Sequence, residues 1–175
     1  MMLWCRSHRF DPAACRIADR HYSRQTVGAP QCAKTGSCVV FVAEDGRSYW
    51  ITSWQRPEHI KHAWPDAWEN SAFRREGGAL ASDLIRQAVA ATRAHYGEPP
   101  HLGMITMIDR DEVKPTMVRG EPVWGWTYRK AGFVDLGETK GGLLVLGLAP
   151  DQMPDPVPAL PRSMHGAPLF DGVAA

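Results

Sequence analysis

The most constraining feature of this chain is a pair of adjacent glycines, Gly77-Gly78, set directly before its longest amphipathic segment. Across residues 79–96, Leu80, Leu84, Ile85, Ala88, Val89 and Thr92 recur at three- and four-residue intervals, the spacing of one helix face. Gly97 and Pro99-Pro100 stop that helix. Residues 71–76 read as a strand before the glycines. Residues 101–108, with Leu102, Met104, Ile105, Met107 and Ile108, read as a strand after the helix, ending at Asp109. Glycines between a strand and a helix let the backbone approach a ligand, and the first N–H groups of the helix then point at it. A pyrophosphate would be held by those amides without a side-chain charge. A plain turn is the alternative reading of the same residues.

The rest of the chain supplies the sheet that such a helix must cover. Asp11-Pro12 suits an N-cap and first helical position, which predicts a helix over residues 13–21. Residues 22–37, with Gly28, Pro30 and Gly36, read as a loop. Residues 38–43 and 49–54 form a hairpin around Glu44-Asp45-Gly46. Residues 55–70 read as a loop with a short helix and 110–121 as a charged loop. Residues 122–131 read as a short helix, and 133–138 and 142–149 as two strands. The implied fold is α/β, a central mixed β-sheet flanked by helices on both faces. Residues 1–150 form one domain. Residues 151–175, with Pro154, Pro156, Pro158, Pro161 and Pro168, form an extended tail able to wrap it.

Composition excludes several classes. A chain of 175 residues, 44% hydrophobic and 22% charged, has the balance of one globular domain rather than a disordered segment. Its longest apolar runs, such as residues 143–149, fall well short of the roughly 18–20 residues that span a bilayer. Residues 1–10 carry Arg6, His8 and Arg9 with no apolar centre, so no secretion signal is visible. Cys5, Cys15, Cys32 and Cys38 follow no disulfide ladder, and Cys5, His8, Cys32 and Cys38 fit no common zinc spacing. Reduced, structural thiols are expected. The net charge is only +1, but residues 1–36 hold six basic residues against Asp11 and Asp19. A local phosphate-binding face is compatible with that excess.

Two segments carry a resemblance. Arg74-x-x-Gly77-x-Ala79 resembles the [Q/R]-x-x-G-x-[G/A] acyl-CoA turn of the GNAT acetyltransferase superfamily, and Tyr128-Arg129-Lys130-Ala131-Gly132-Phe133 resembles its Y-x-K-x-G-F segment. They stand in the expected order, a helix and a strand apart, within residues 38–149. The resemblance implies a GNAT-like fold. It implies that Gly77, Gly78 and Ala79 cradle the pyrophosphate of acetyl-CoA or a related acyl-CoA, with Arg74 and Arg75 beside them. It also places Tyr128 near the sulfur as a donor to the leaving thiolate. A narrower resemblance is to the Mom family of GNAT-like phage DNA modifiers. It rests on His21-Tyr22, an arginine in the turn, Asp109 at a strand end, Tyr128 and, more weakly, Tyr49. It implies addition of a carbamoylmethyl-type group to N6 of adenine in DNA, which blocks restriction. The setting it implies is the cytoplasm of a bacterial host, with the gene carried by a phage or prophage. His21, Tyr22, Asp109 and Tyr128 are the catalytic residues carried over.

The residue types suit that chemistry. The exocyclic amine of adenine is a poor nucleophile, so its proton must be taken as attack proceeds; Asp109 or His21 has the chemistry to do this. Adenine N6 is hidden in duplex DNA, so the base must be flipped out and stacked on an aromatic side chain. Tyr22, Tyr49, Trp50, Trp54, Trp124 and Trp126 are candidates, and Arg20 and Arg24 flank the His-Tyr pair as phosphate contacts. A carbamoylmethyl group is not what acetyl transfer yields, because that makes an amide. A metal such as iron, on His21, Tyr22, Asp109 and Tyr128, is one route to the extra chemistry. The structural alternatives are a helix-end histidine, a capping aspartate and packing tryptophans. Two rival functions remain: an N-acetyltransferase acting on a small-molecule or protein amine, and a non-catalytic DNA-binding module.

Overall fold

The computed structural model describes residues 1–162, and its centre is one eight-stranded mixed sheet. The strands in chain order are β1 (Trp4–Ser7), β2 (Cys38–Ala43), β3 (Ser48–Ser53), β4 (Trp68–Arg75), β5 (Met104–Ile108), β6 (Thr116–Val118), β7 (Glu121–Val123), β8 (Val134–Glu138), β9 (Leu144–Leu148) and β10 (Leu160–Pro161). The helices are α1 (Pro12–Ala18), α2 (Ala81–Tyr96) and α3 (Trp126–Lys130). Across the sheet the order is β10, β1, β2, β3, β4, β5, β9, β8; β6 and β7 form a separate hairpin. The parallel pairs are β10 with β1 and β4 with β5.

Alternation along the strands divides the core. Val39, Phe41 and Ala43 of β2 and Trp50 of β3 pack with Leu84, Ile85, Ala88 and Val89 of α2. The intervening Val40, Val42, Tyr49 and Ile51 pack with Ala14, Ile17 and Ala18 of α1. This is the period-two pattern of strands whose successive side chains leave opposite faces. Thr52 Oγ1 and Thr92 Oγ1, both buried, bridge β3 to α2 at 3.1 Å. Helix α2 begins at Leu80 with no side-chain cap and ends at Gly97, whose φ of +88° favours glycine.

Strand β4 holds the main irregularity. Ile51 pairs with Ala72 and Thr52 with Asn70, so Ser71 is an extra residue with no partner on β3. This β-bulge reverses the phase of the strand. Trp68 lies in the core cluster under α2, and after the bulge Phe73, not Ala72, packs against that cluster. The other neighbour also departs here. β4 pairs with β5 only at Trp68–Met104, Glu69–Ile105 and Asn70–Thr106, although β4 continues to Arg75.

Several sequence expectations shift. The first helix ends at Ala18 rather than 21, and α2 and α3 are trimmed to 81–96 and 126–130. β1 lies in the segment read only for targeting signals. β4 begins at Trp68, inside the segment taken as loop, because the bulge breaks its alternation. The charged loop contains the β6–β7 hairpin. The proline-rich tail does wrap the domain as far as it is described. Arg93 Nη1 donates to the Pro154 carbonyl at 2.8 Å, the Val157 N–H donates to the Ala90 carbonyl, and β10 lies beside β1. Residues 163–175, with Pro168, lie outside the described residues.

Asp11 ties the tail to the helix. It is 3% exposed, caps α1 through the Ala13 and Ala14 N–H groups, accepts from Ser7 Oγ, and pairs with Arg162 Nε at 2.7 Å. Burial alone would raise its carboxyl. The hydrogen bonds from Ser7 and the helix N–H groups, with Arg162, offset that and hold it below the usual carboxylate range. Its stabilisation is therefore complete above about pH 4 and is lost as pH falls through the folded-state pKa. Asp11→Ala is expected to cost about 1–3 kcal/mol in denaturant unfolding at neutral pH, with the difference shrinking toward pH 2; a loss below about 0.5 kcal/mol would contradict the capping role.

Candidate functional site

Where β4 and β5 part, a cleft of about 370 Å³ opens. Asn70 and Thr106 form its floor, and Phe73, Arg74, Met107 and Ile108 its walls. His21 and Tyr22 reach it from the segment after α1, and Trp126 and Tyr128 from α3. Residues 21, 22, 74, 75 and 128, far apart in sequence, thus line one cavity. The phase reversal at Ser71 explains part of this, because it turns Phe73 toward the core and Arg74 toward His21.

His21 stacks on Tyr22 with ring centroids 4.6 Å apart and meets Tyr49 edge-on at 6.2 Å. Its Nδ1 accepts from the Ser23 N–H at 3.2 Å and lies 2.8 Å from Ser23 Oγ, and the ring is near the Phe73 backbone. Burial and the nearby Arg74 lower its pKa to about 4, against the Phe73 contact, which favours the charged form. The imidazole is neutral at pH 7, and its one lone pair is committed to Ser23.

Burial raises the Tyr22 pKa, opposed by the nearby Asp109 backbone. Asp109 itself follows β5. Its carboxylate accepts from the Asp111 N–H at 3.0 Å and its carbonyl from the Val113 N–H, so it caps its own loop. Tyr128 Oη donates to Asn70 Oδ1 at 2.5 Å, and burial pushes its pKa well above the usual phenol value.

The glycine turn follows Arg75 in the chain. Gly77 and Gly78 have φ of +149° and +76°, which only glycine adopts without strain. Arg75 folds back on the turn, its Nε donating to the Ala79 carbonyl at 2.5 Å and its Nη2 to the Gly78 carbonyl at 3.0 Å. The carbonyls are thereby occupied, while α2 begins without a side-chain cap, so its first N–H groups have no side-chain partner. The Asp45 carboxylate lies against Gly78 on the other side of the turn. Glu76 receives both Arg20 (2.5 Å) and Arg74 (2.8 Å), and those hydrogen bonds pull its pKa down to about 2.

The remaining candidates are dispersed. Arg24 spends its donors on Asp19, Ala29 and Gln31 and holds the loop after α1 together. Arg20 is exposed, beside Glu76. Trp54 packs on Trp68 and Tyr96, away from the cleft. Trp50 is buried, and Trp124 donates to the Val113 carbonyl. All four cysteines are free thiols; burial pushes Cys32 up to about 12, beside Cys15. Among the described residues, no three His, Cys, Asp or Glu side chains are close enough to hold a metal.

A second cavity, about 360 Å³, meets the first at Ser71 and Ala72. Tyr49, Ser53, Glu69, Gln31, Gln55 and Lys34 are among its lining residues. Burial raises the Glu69 carboxyl, opposed by His62 and Lys34, and among the described residues Glu69 makes no ion pair. Sequence reasoning passed over it because the strand around it was taken as loop.

No family model matches this chain, and neither a curated protein nor a solved structure is significantly similar to it. No helix among the described residues is long and apolar enough to cross a membrane.

The neutral state of His21 is directly measurable. Its ring resonances in an NMR titration are expected to stay unchanged from pH 8 to about pH 5 and to move only near pH 4. A midpoint near 6.5, the free value, would contradict the buried, Ser23-bound geometry.

Proposed function

We propose that the chain is a GNAT-like, Mom-like transferase, with helices on both faces of its sheet, that delivers an acyl or carbamoylmethyl-type group to N6 of a flipped adenine in DNA. The observation that carries this reading is the parting of β4 from β5 at Asn70–Thr106, with His21, Tyr22 and Tyr128 converging on the gap. A cleft between parted strands gives an extended thioester a path through the sheet toward a nucleophile. The packing of α1 and α2 against alternate residues of β2 and β3 supports the layering.

The chain's own residues divide the work. The N–H groups that open α2 bind the pyrophosphate, with Arg75 keeping the turn carbonyls turned away. The bound acyl-CoA supplies the activated carbonyl. The amine sits where the two cavities meet at Ser71 and Ala72, between Tyr128 of the cleft and Glu69 of the second cavity, and Glu69 takes its proton: its raised pKa and lack of an ion-pair partner suit a base. Glu69 takes this role in place of Asp109, which is not among the lining residues of either cavity, and of His21, whose Nδ1 lone pair is bonded to Ser23. Tyr22 and His21 present a stacked aromatic surface to a planar base. No step is routed through a metal. The reading places the protein in a bacterial cytoplasm, encoded by a phage or prophage and protecting DNA from restriction.

A second reading, acetyl transfer to a small-molecule or protein amine, is favoured by one observation. Arg24 and Trp54 are committed to internal packing, which leaves fewer groups for DNA. Mass spectrometry of nucleosides from plasmid DNA of cells expressing the protein separates the two. The expected result is a new, heavier deoxyadenosine that vanishes with Tyr128→Phe. Unmodified deoxyadenosine, with acetyl-CoA turnover on an amine panel, would establish the second reading instead.

A further inference from the structure

Asn70 is 3% exposed and sits on the last residue pair before β4 and β5 part. Its side chain spans the bulge: Nδ2 donates to the Ile51 carbonyl at 3.0 Å and to the Ala72 carbonyl at 2.9 Å. Carbonyls only accept, so this end of the amide must be nitrogen and the other end oxygen. Oδ1 accepts only, and the Tyr128 hydroxyl is 2.5 Å from it. The phenol proton therefore points at Asn70. Thr106 Oγ1 stands 3.4 Å from the same Oδ1. Thr106 also lies beside the phenol oxygen, which has two lone pairs, so one remains for the cleft even where Thr106 engages the other.

We propose that Asn70 is the positioning residue of this site, fixing Tyr128 as a hydrogen-bond acceptor toward the cleft, where it takes an N–H of the amine substrate. This assignment rests on the transferase reading for its substrate, and on geometry alone for the polarity. It reverses the donor role that the family resemblance implies for Tyr128 in the resting site. The phenol remains protonated, orients the amine, and turns its proton toward the cleft only if the Asn70 contact is released. The same amide closes the bulge, so the polarity of Tyr128 and the opening of the cleft depend on one side chain.

Proton NMR of the intact protein tests the polarity without any substrate. One slowly exchanging tyrosine hydroxyl resonance is expected, identified by its loss in Tyr128→Phe. It should be lost in Asn70→Leu and retained, at a shifted position, in Asn70→Asp, which keeps the acceptor oxygen. A wild-type spectrum without a protected Tyr128 hydroxyl overturns the proposal even if a variant fails to fold, as does an unchanged signal in folded Asn70→Leu. In turnover, Asn70→Leu should lower kcat by about 10- to 100-fold with KM for acyl-CoA changed less than about threefold. In the Tyr128→Phe background it should cost clearly less than in the wild type, the remainder reflecting the lost Ile51 and Ala72 bonds; fully additive losses would mean that Asn70 does not act through Tyr128. If the wild-type protein transfers no acyl group, the transferase reading falls while the hydroxyl resonance still decides the polarity.

Discussion

With Ser71 unpaired against β3, strand β4 changes phase halfway along, and the amide of Asn70 holds that change in place. A buried polar side chain is tolerated when each of its groups is satisfied, and Asn70 meets that condition by bonding β3, β4 and α3 at once. Remove the bulge and the outer half of β4 inverts, so that Phe73 leaves the core and Arg74 leaves His21. The cleft is thus a consequence of backbone geometry first and of side-chain chemistry second. β5, by contrast, stays paired with β9 through Ile108, so the opening is one-sided: β4 departs while β5 remains in the sheet.

The charges divide the site in the same way. At the glycine turn, Arg20 and Arg74 converge on one carboxylate, Glu76, and remain charged. Inside the cleft His21, Tyr22 and Tyr128 are neutral, His21 because of burial and the nearby Arg74, while Arg74, Arg75 and Lys114 bring positive charge to the same lining. Such a lining suits a ligand with an anionic part to meet the basic side chains and an uncharged reacting end beside the phenols. Glu69, in the adjoining cavity, is the exception. Burial shifts its carboxyl toward the protonated form, opposed by His62 and Lys34.

Much of this was legible in the sequence, and the misses have physical causes. Gly77-Gly78 before a periodic apolar run marked the turn and α2, and Asp11-Pro12 marked the start of α1, because caps and helix faces are local signals. Tyr22, Tyr128 and His21 were singled out by resemblance and do line one cleft. Asn70 and Glu69 were not visible, since a bulge replaces the alternation by which a strand is recognised. β1 and β10 were missed because two- and four-residue strands at a sheet edge carry little periodicity. Arg24 looked like a phosphate contact by its position beside His21-Tyr22; the sequence has no way to show that Asp19 and two carbonyls already hold it.

The central claim is that the gap between β4 and β5, with the glycine turn beyond Arg75, is one ligand site. Titration of the isotope-labelled protein with acetyl-CoA, followed by backbone amide NMR, tests it most directly. The account predicts shifts in residues 77–83 together with Asn70, Phe73, Thr106 and Met107, all abolished by Gly77→Asp, which strains a φ of +149° and adds a negative charge beside Arg47 in the turn. Shifts confined to another part of the sheet, or unaltered by Gly77→Asp, would contradict it.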